Sequence, residues 1–190
     1  MAGRQAKILS DAQVRNLLVY ADATRWPARN RVIVLLSVKA GLRAGEIACL
    51  TWDMVLDPYG EVSSAIELRD RAAKKNSGRM IPMHPELGAA LVAWMARTDG
   101  RGPIRSERGG PMTPASIVNW FSVAYRRLHL KGCSSHSGRR TFVTRAARLV
   151  HQAGGSLRDV QLLAGHRSIL TTQRYIDGDS DARRRLVSLI

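Results

Sequence analysis

The chain is poor in cysteine, in aromatic side chains, in acidic groups and in long apolar runs. Cys49 and Cys133 are its two thiols in 190 residues, too few for a disulfide framework. Both sit beside apolar or small residues, so buried free thiols are expected. No apolar run approaches the ~20 residues that span a bilayer, and the longest, 32–38, is broken by Ser37. The N-terminus has no apolar segment of signal-peptide type. A soluble chain in a reducing, intracellular setting is the expectation. No internal repeat or low-complexity segment divides it, and 190 residues suit one domain or a tight pair of lobes.

Acidic residues number 15 against 30 Lys plus Arg, a formal net charge of +15. The excess is uneven. Residues 1–100 hold 14 basic and 10 acidic side chains, net +4, whereas residues 101–190 hold 16 and 5, net +11. Such asymmetry points to a polyanionic partner, nucleic acid first and a membrane surface second. Every basic residue of the second half except Lys131 is arginine. The planar guanidinium fork favours specific phosphate contacts over a diffuse basic tail.

Read in order, residues 1–9 form a frayed arm. Ser10 and Gln13 make a capping box, with Val14, Leu17, Leu18 and Ala21 at helical spacing behind it. A buried helix follows over 28–40 and stops at Gly41, then a short one over 44–50. Three short extended pieces come next: 54–56, closed by an Asp57-Pro58-Tyr59-Gly60 turn, then 65–68 and 79–82. They predict a three-stranded antiparallel sheet whose last connection is a Lys-rich hairpin over 73–78. From Pro85 the chain is helical, with Leu87, Leu91, Trp94 and Met95 on one face. A loop over 100–114 leads into a helix opened by Pro114, striped with Ile117, Trp120, Phe121, Ala124 and Leu128. A helix from Ser137 ends before Gly154-Gly155, Ser156 caps another over 157–164, and short helices over 169–176 and 181–190 close the chain. The fold class is mainly α with a small sheet (α+β).

Six residues stand out for chemistry. Arg43 opens a short helix and could add a fork to an anion, although pairing with Glu46 on the surface is the plainer reading. Lys74 lies at a hairpin tip, where a flexible amine could reach a leaving oxygen. His136 and Arg139 are three apart, with Arg140 beside them, and an imidazole next to guanidinium makes more sense facing a phosphate than in a core. His166 follows Gly165 at a helix end. Tyr175 lies nine positions on, among polar neighbours that include Thr171, Thr172 and Gln173. Tyr20, Tyr59 and Tyr125 read as half-buried packing, and His84, His129 and His151 attract no role. A zinc site from Cys133, His136 and His166 lacks the tight ligand pairs that zinc sites show, so no metal is expected.

In this order the boxes resemble the catalytic domain of the tyrosine site-specific recombinases, the phage-integrase family. Gly41-Leu42-Arg43-Ala44-Gly45-Glu46-Ile47 is similar to that family's first Arg box, and Lys74 before Arg79-Met80-Ile81-Pro82 to its hairpin lysine. His136-Ser137-Gly138-Arg139-Arg140 is similar to its His-x-x-Arg box, and Leu163-Ala164-Gly165-His166 with Tyr175 to its closing boxes. The resemblance covers roughly residues 10–180. It departs at Gly138 and Arg140, where many relatives carry an apolar residue and a histidine.

The resemblance implies a fold, a chemistry and partners. The fold is that of the DNA breaking-rejoining catalytic domains, here over 10–178, with a final helix over 179–190 docking on a neighbouring subunit. No N-terminal core-binding domain is expected ahead of it. Tyr175 is the implied nucleophile, forming a 3′-phosphotyrosine. Arg43 and Arg139 hold the non-bridging oxygens, Lys74 protonates the 5′ oxygen, His136 is an acid–base group and His166 bonds the phosphate. Lys75, Arg79 and Arg140 are expected to touch DNA. No cofactor, metal or ATP is implied. The implied partner is double-stranded DNA, bound by a homotetramer assembled from monomers, with accessory bending or directionality factors, in a bacterial cytoplasm beside the nucleoid. The activity would be site-specific recombination by integration, excision or inversion. The alternatives are a non-catalytic DNA-binding protein on the same fold and a type IB topoisomerase-like nicking-closing enzyme. An RNA-binding module fits less well, since no aromatic-rich sheet is present for base stacking.

Overall fold

The computed structural model describes residues 6–73, 77–98, 102–175 and 187–188. Its centre is α2 (Pro27–Lys39), with Pro at its first position. Residues Val32, Ile33, Val34, Leu35 and Leu36 are all 0% exposed. A helix apolar on every side has to be surrounded, and α2 packs against α1 (Asp11–Asp22), α3 (Ala44–Ala48), α4 (Pro85–Met95) and α6 (Ser137–Leu149). Fully burying each such aliphatic side chain contributes roughly 1.5–3 kcal/mol, so this one helix organises the main core. α5 (Pro114–Arg127) closes it from beside α1 and α3 with Ile117, Phe121, Ala124 and Tyr125.

Local signals set most boundaries. The Ser10–Gln13 box is formed in both directions, and Val14, Leu17, Leu18 and Ala21 are the buried residues of α1, as expected. α7 (Leu157–Ala164) runs over the expected residues from its Ser156 cap and ends at Gly165, which adopts φ +61°. α8 (Ile169–Gln173) follows at once. The helix expected over 169–176 is shorter: it ends at Gln173, Arg174 is its C-cap and Tyr175 lies in the turn that follows, while residue 176 and almost all of the expected closing helix over 179–190 lie outside the described residues.

The sheet differs from expectation. It has two antiparallel strands, β1 (Ala65–Leu68) and β2 (Arg79–Pro82), with Ala65 opposite Pro82. The piece expected as a third strand is a 3-10 turn, Trp52–Met54, followed by an isolated bridge from Leu56 to Val62. Met54 and Val55 are successive and both buried. A pleated strand sends successive side chains to opposite faces, so a helical turn is the local way to bury both. The turn over 57–60 does form, with Gly60 at φ +83° and its N–H on the Asp57 carbonyl at 3.1 Å.

Residues 6–9 are not a loose arm. Leu9 is 1% exposed, and its N–H donates to Thr141 Oγ1 at 2.8 Å. The Lys7 N–H meets the Gly132 carbonyl at 3.1 Å, while Arg140 and Arg145 donate to the carbonyls of Ala6 and Leu9. Two smaller expectations also fail. Cys49 is exposed and Cys133 half-buried, and Tyr59 stands 90% exposed at its turn. No helix among the described residues is long and apolar enough to cross a membrane.

A second, smaller cluster sits under α6 and α7. Val143, Ala147, Val150, Val160 and Ala164 form it, with Phe142, Leu157 and Tyr175 packed against it. The candidate site lies where this cluster meets the end of α2.

Candidate functional site

Glu46 anchors the site. It is 1% exposed, on α3, and its carboxylate gathers arginines from two other elements besides its own. The N–H of Arg43 donates to Oε2 at 2.9 Å and Arg43 Nη1 to Oε1 at 2.7 Å. From β2, Arg79 Nη1 and Nη2 donate to the two oxygens at 3.2 Å each. Arg139 Nη1 of α6 stands 4.0 Å from Oε2. Burial alone pushes this carboxyl up, but the hydrogen bonds and charges of Arg79 and Arg43 outweigh it and hold it below its ordinary value. Sequence reasoning met Glu46 as a surface partner of Arg43. Its burial becomes visible once α6 and β2 are placed.

Arg139 sits in the first turn of α6 and is 3% exposed. Its Nη1 donates to the Gly41 carbonyl and its Nη2 to the Ala164 carbonyl, both at 2.6 Å. Ala164 is the last residue of α7, where helix carbonyls lack intrahelical partners and carry partial negative charge, and Gly41 lies two residues past the end of α2. Burial and nearby Arg43 lower this guanidinium, and it stays charged at neutral pH. α6 can come this close to α2 because Gly138 has no side chain: a Cβ there would run into Ser37. The departure at Gly138 therefore belongs to helix packing.

His166 is placed by the end of α7. Gly165 in the left-handed region turns the chain, and the N–H of His166 bonds the Gln161 carbonyl at 3.1 Å. Gln161 Nε2 donates back to the His166 carbonyl at 2.8 Å. His166 is 8% exposed, with Nδ1 2.9 Å from the buried hydroxyl of Thr172. Burial, then Arg139, Arg43 and Arg79, push its pKa down to about 4, so the imidazole is neutral at pH 7. The Tyr175 ring stacks on it, with centroids 5.5 Å apart and planes at 23°.

These groups share one cavity of about 370 Å³, lined by Arg43, His136, Arg139, His166 and Tyr175, with Arg140, Arg174 and Thr171 beside them. Five of the six sequence-predicted catalytic residues thus come together. Lys74 and Lys75 lie outside the described residues. His136 is the exposed N-cap residue of α6. Arg140 lines the same cavity and donates to Ala6. Arg79, expected on DNA, has a side chain only 6% exposed, spends its guanidinium on Glu46 and donates Nε–H to the Leu163 carbonyl at 2.8 Å. Its observed place is under the site. Gln161 and Thr172 were missed as well. Both are polar and buried, and only their neighbourhood to His166 could have pointed to them. A larger recess of about 620 Å³ lies by Cys49, Thr51 and Arg71 and shares no lining residue with this cavity. Among the described residues no three His, Cys, Asp or Glu cluster as metal ligands would.

The arrangement can bind one tetrahedral anion. Two charged guanidinium groups and a neutral imidazole surround space next to a phenol, and the cations are held by a buried carboxylate and by helix-end carbonyls. Charge developing on such an anion would be met by donors already in place.

The profile of the phage integrase family matches residues 7–181. The tyrosine recombinase XerC of Myxococcus xanthus is 30% identical over 185 residues, covering 89% of this chain and 57% of the relative. That of Xanthomonas campestris pv. campestris is 29% identical over 171 residues, covering 87% and 49%. The chain therefore spans about half the length of these relatives. Among solved structures, the XerA recombinase superposes with a TM-score of 0.74 at 24% identity, covering 96% of this chain and 64% of the other. The Tn1549 transposon integrase, in complex with a circular intermediate DNA, gives 0.75 at 22% identity, covering 100% and 67%. At these identities the structures speak for the fold: a mostly helical domain with a small antiparallel sheet.

Proposed function

Because this chain belongs to the phage integrase family, we propose that it carries out site-specific DNA recombination through a covalent link between Tyr175 and a DNA phosphate. The observation that carries this reading is the shared cavity: Arg43, Arg139, His136 and His166 surround the space beside the Tyr175 ring. In the proposed step the phenolic oxygen attacks phosphorus in line. A phosphorus–tyrosine bond forms, and the bond to the 5′ oxygen breaks with its electron pair leaving on that oxygen. A neutral phenol is a weak nucleophile, so its proton has to leave as the oxygen attacks, and His136 is the group to take it. Lys74, by the resemblance, returns a proton to the departing 5′ oxygen. Arg43 and Arg139 neutralise the charge that builds on the two non-bridging oxygens. The phosphotyrosine bond conserves the energy of the broken bond. A second 5′-hydroxyl can then reverse the step and join a new strand.

Residues 10–178 act in this reading as the catalytic domain, with 179–190 docking on a neighbouring subunit in a homotetramer on two DNA sites. Arg140 and Lys75 contact the DNA backbone, and the protein works in the cytoplasm. The decisive experiment incubates the protein with a nicked suicide DNA substrate, which traps the covalent stage. The wild type should give a denaturant-resistant protein–DNA band and Tyr175→Phe none. A wild type that binds DNA and yields no band would reduce the protein to a binding module. Strand joining between two sites, rather than relaxation of one supercoiled circle, separates recombination from a nicking-closing activity.

A further inference from the structure

We infer that Thr172 is a positioning residue for His166: its buried hydroxyl donates to Nδ1 and holds the imidazole as the tautomer protonated on Nε2, the nitrogen left to face a phosphate oxygen. The inference rests on the reading of the cavity as a phosphate site. A neutral imidazole has one N–H and one lone pair, and which nitrogen holds the proton is set by the partner of the other. Thr172 is 0% exposed and its Oγ1 lies 2.9 Å from Nδ1. Nδ1 is therefore engaged on the α8 side, and Nε2 is the nitrogen available on the cavity side. A lone pair on Nε2 would repel a phosphate oxygen, whereas an N–H would bond it.

Among the described residues, the other contacts of His166 fix its place without choosing its tautomer. Gln161 clamps the His166 backbone at both its N–H and its carbonyl. Tyr175 stacks on the ring face. Arg139, Arg43 and Arg79 oppose a charged imidazole while Glu46 favours one, and burial sides with the arginines. The ring is thus held neutral, and a hydroxyl from α8 is what remains to order its proton. α8 carries Thr172 three positions before Tyr175, so one short helix supplies the tautomer-setting group and leads straight to the proposed nucleophile.

The test uses the full chain with ¹⁵N-labelled histidine and long-range proton–nitrogen correlation spectra, with His166 assigned by its loss in His166→Gln. In the wild type the His166 proton is expected on Nε2. Thr172→Val keeps the shape and removes the hydroxyl, and it should move part or all of the population to the other tautomer. Thr172→Ser should keep the wild-type pattern. On the nicked substrate, Thr172→Val should slow adduct formation roughly tenfold, the scale of one net hydrogen bond, with DNA affinity unchanged, and Ser should restore the rate. A wild-type proton on Nδ1, or an unchanged tautomer in a folded Val variant, overturns the inference. Should the Val variant fail to fold, the wild-type and Ser spectra decide, and Nδ1 protonation in either overturns it. No adduct from wild type together with the expected spectra would reject strand cleavage while leaving the Thr172–His166 assignment standing.

Discussion

At the scale of single residues the site is held by one acid among many bases. Glu46 compensates a concentration of positive charge that would otherwise repel itself. Removing one partner of a buried charge set leaves the others uncompensated, which costs about 3 kcal/mol or more. Glu46→Gln should therefore lower stability by roughly 3 kcal/mol, read from the urea midpoint. Its carboxyl is held below the ordinary 4.5, so its stabilising contribution is complete above that value and is lost as pH falls through the lowered one. The acid loss of stability should be shallower in Glu46→Gln. His166 acts in the same sense from a higher starting pH. Its folded pKa, about 4, is depressed from 6.5, so below about 6.5 the unfolded chain takes up a proton that the folded chain refuses. Stability should fall between those two values, and His166→Gln should remove that part of the slope.

At the scale of elements, helix ends do the positioning. Gly41 (φ +65°) ends α2 and offers its carbonyl to Arg139, while Gly165 (φ +61°) ends α7 and delivers His166. A Cβ at Gly165 would stand 2.8 Å from Arg79 Nη1, and one at Gly41 would meet the Phe142 ring. Gly165→Ala should cost roughly 2 kcal/mol, combining left-handed strain with displacement of Arg79 from Glu46. Its effect should be reduced in a Glu46→Gln background, measured as a double-mutant cycle.

These ends were legible in the sequence. Ser10 with Gln13, Pro114, Ser156 and Gly165 are local signals, and local signals fix helix boundaries. The third strand was not legible, because a three-residue apolar run at 54–56 has no periodicity to separate a pleat from a turn. The anchoring of residues 6–9 was equally hidden, since its partners Thr141, Arg140 and Arg145 lie more than 130 positions away. Of the site, the residues that line the cavity were readable as ordered boxes. Beneath them, Glu46 and Arg79 meet across 33 positions, which no spacing announces, and Gln161 and Thr172 lie five and six positions from His166 in a stretch whose pattern does not mark them as its partners.

At the scale of the whole molecule, two cores of unequal size divide the site. Arg43 stands between Leu42 and Ala44 of the large core around α2, whereas Tyr175 packs against the small cluster under α6 and α7, whose Ala164 leads through Gly165 to His166. Regions with few buried apolar contacts open at lower free energy than the global unfolding. Hydrogen exchange should therefore find the amides of α7 and α8 exchanging well before those of α2. The molecule's charge of +15 also sets its response to salt. DNA affinity should fall about a thousandfold between ~50 and ~200 mM salt if six or more phosphates are neutralised.

The two carbonyl bonds of Arg139 have a practical consequence. The guanidinium is a tie-beam joining the tip of one arch, at Gly41, to the tip of another, at Ala164. Cutting it lets both tips spread, so an inert Arg139→Ala preparation would report a sagging frame as readily as a missing reagent. Tyr175→Phe removes one hydroxyl oxygen and keeps the ring that stacks on His166, which makes it the blank against which every other variant should be measured.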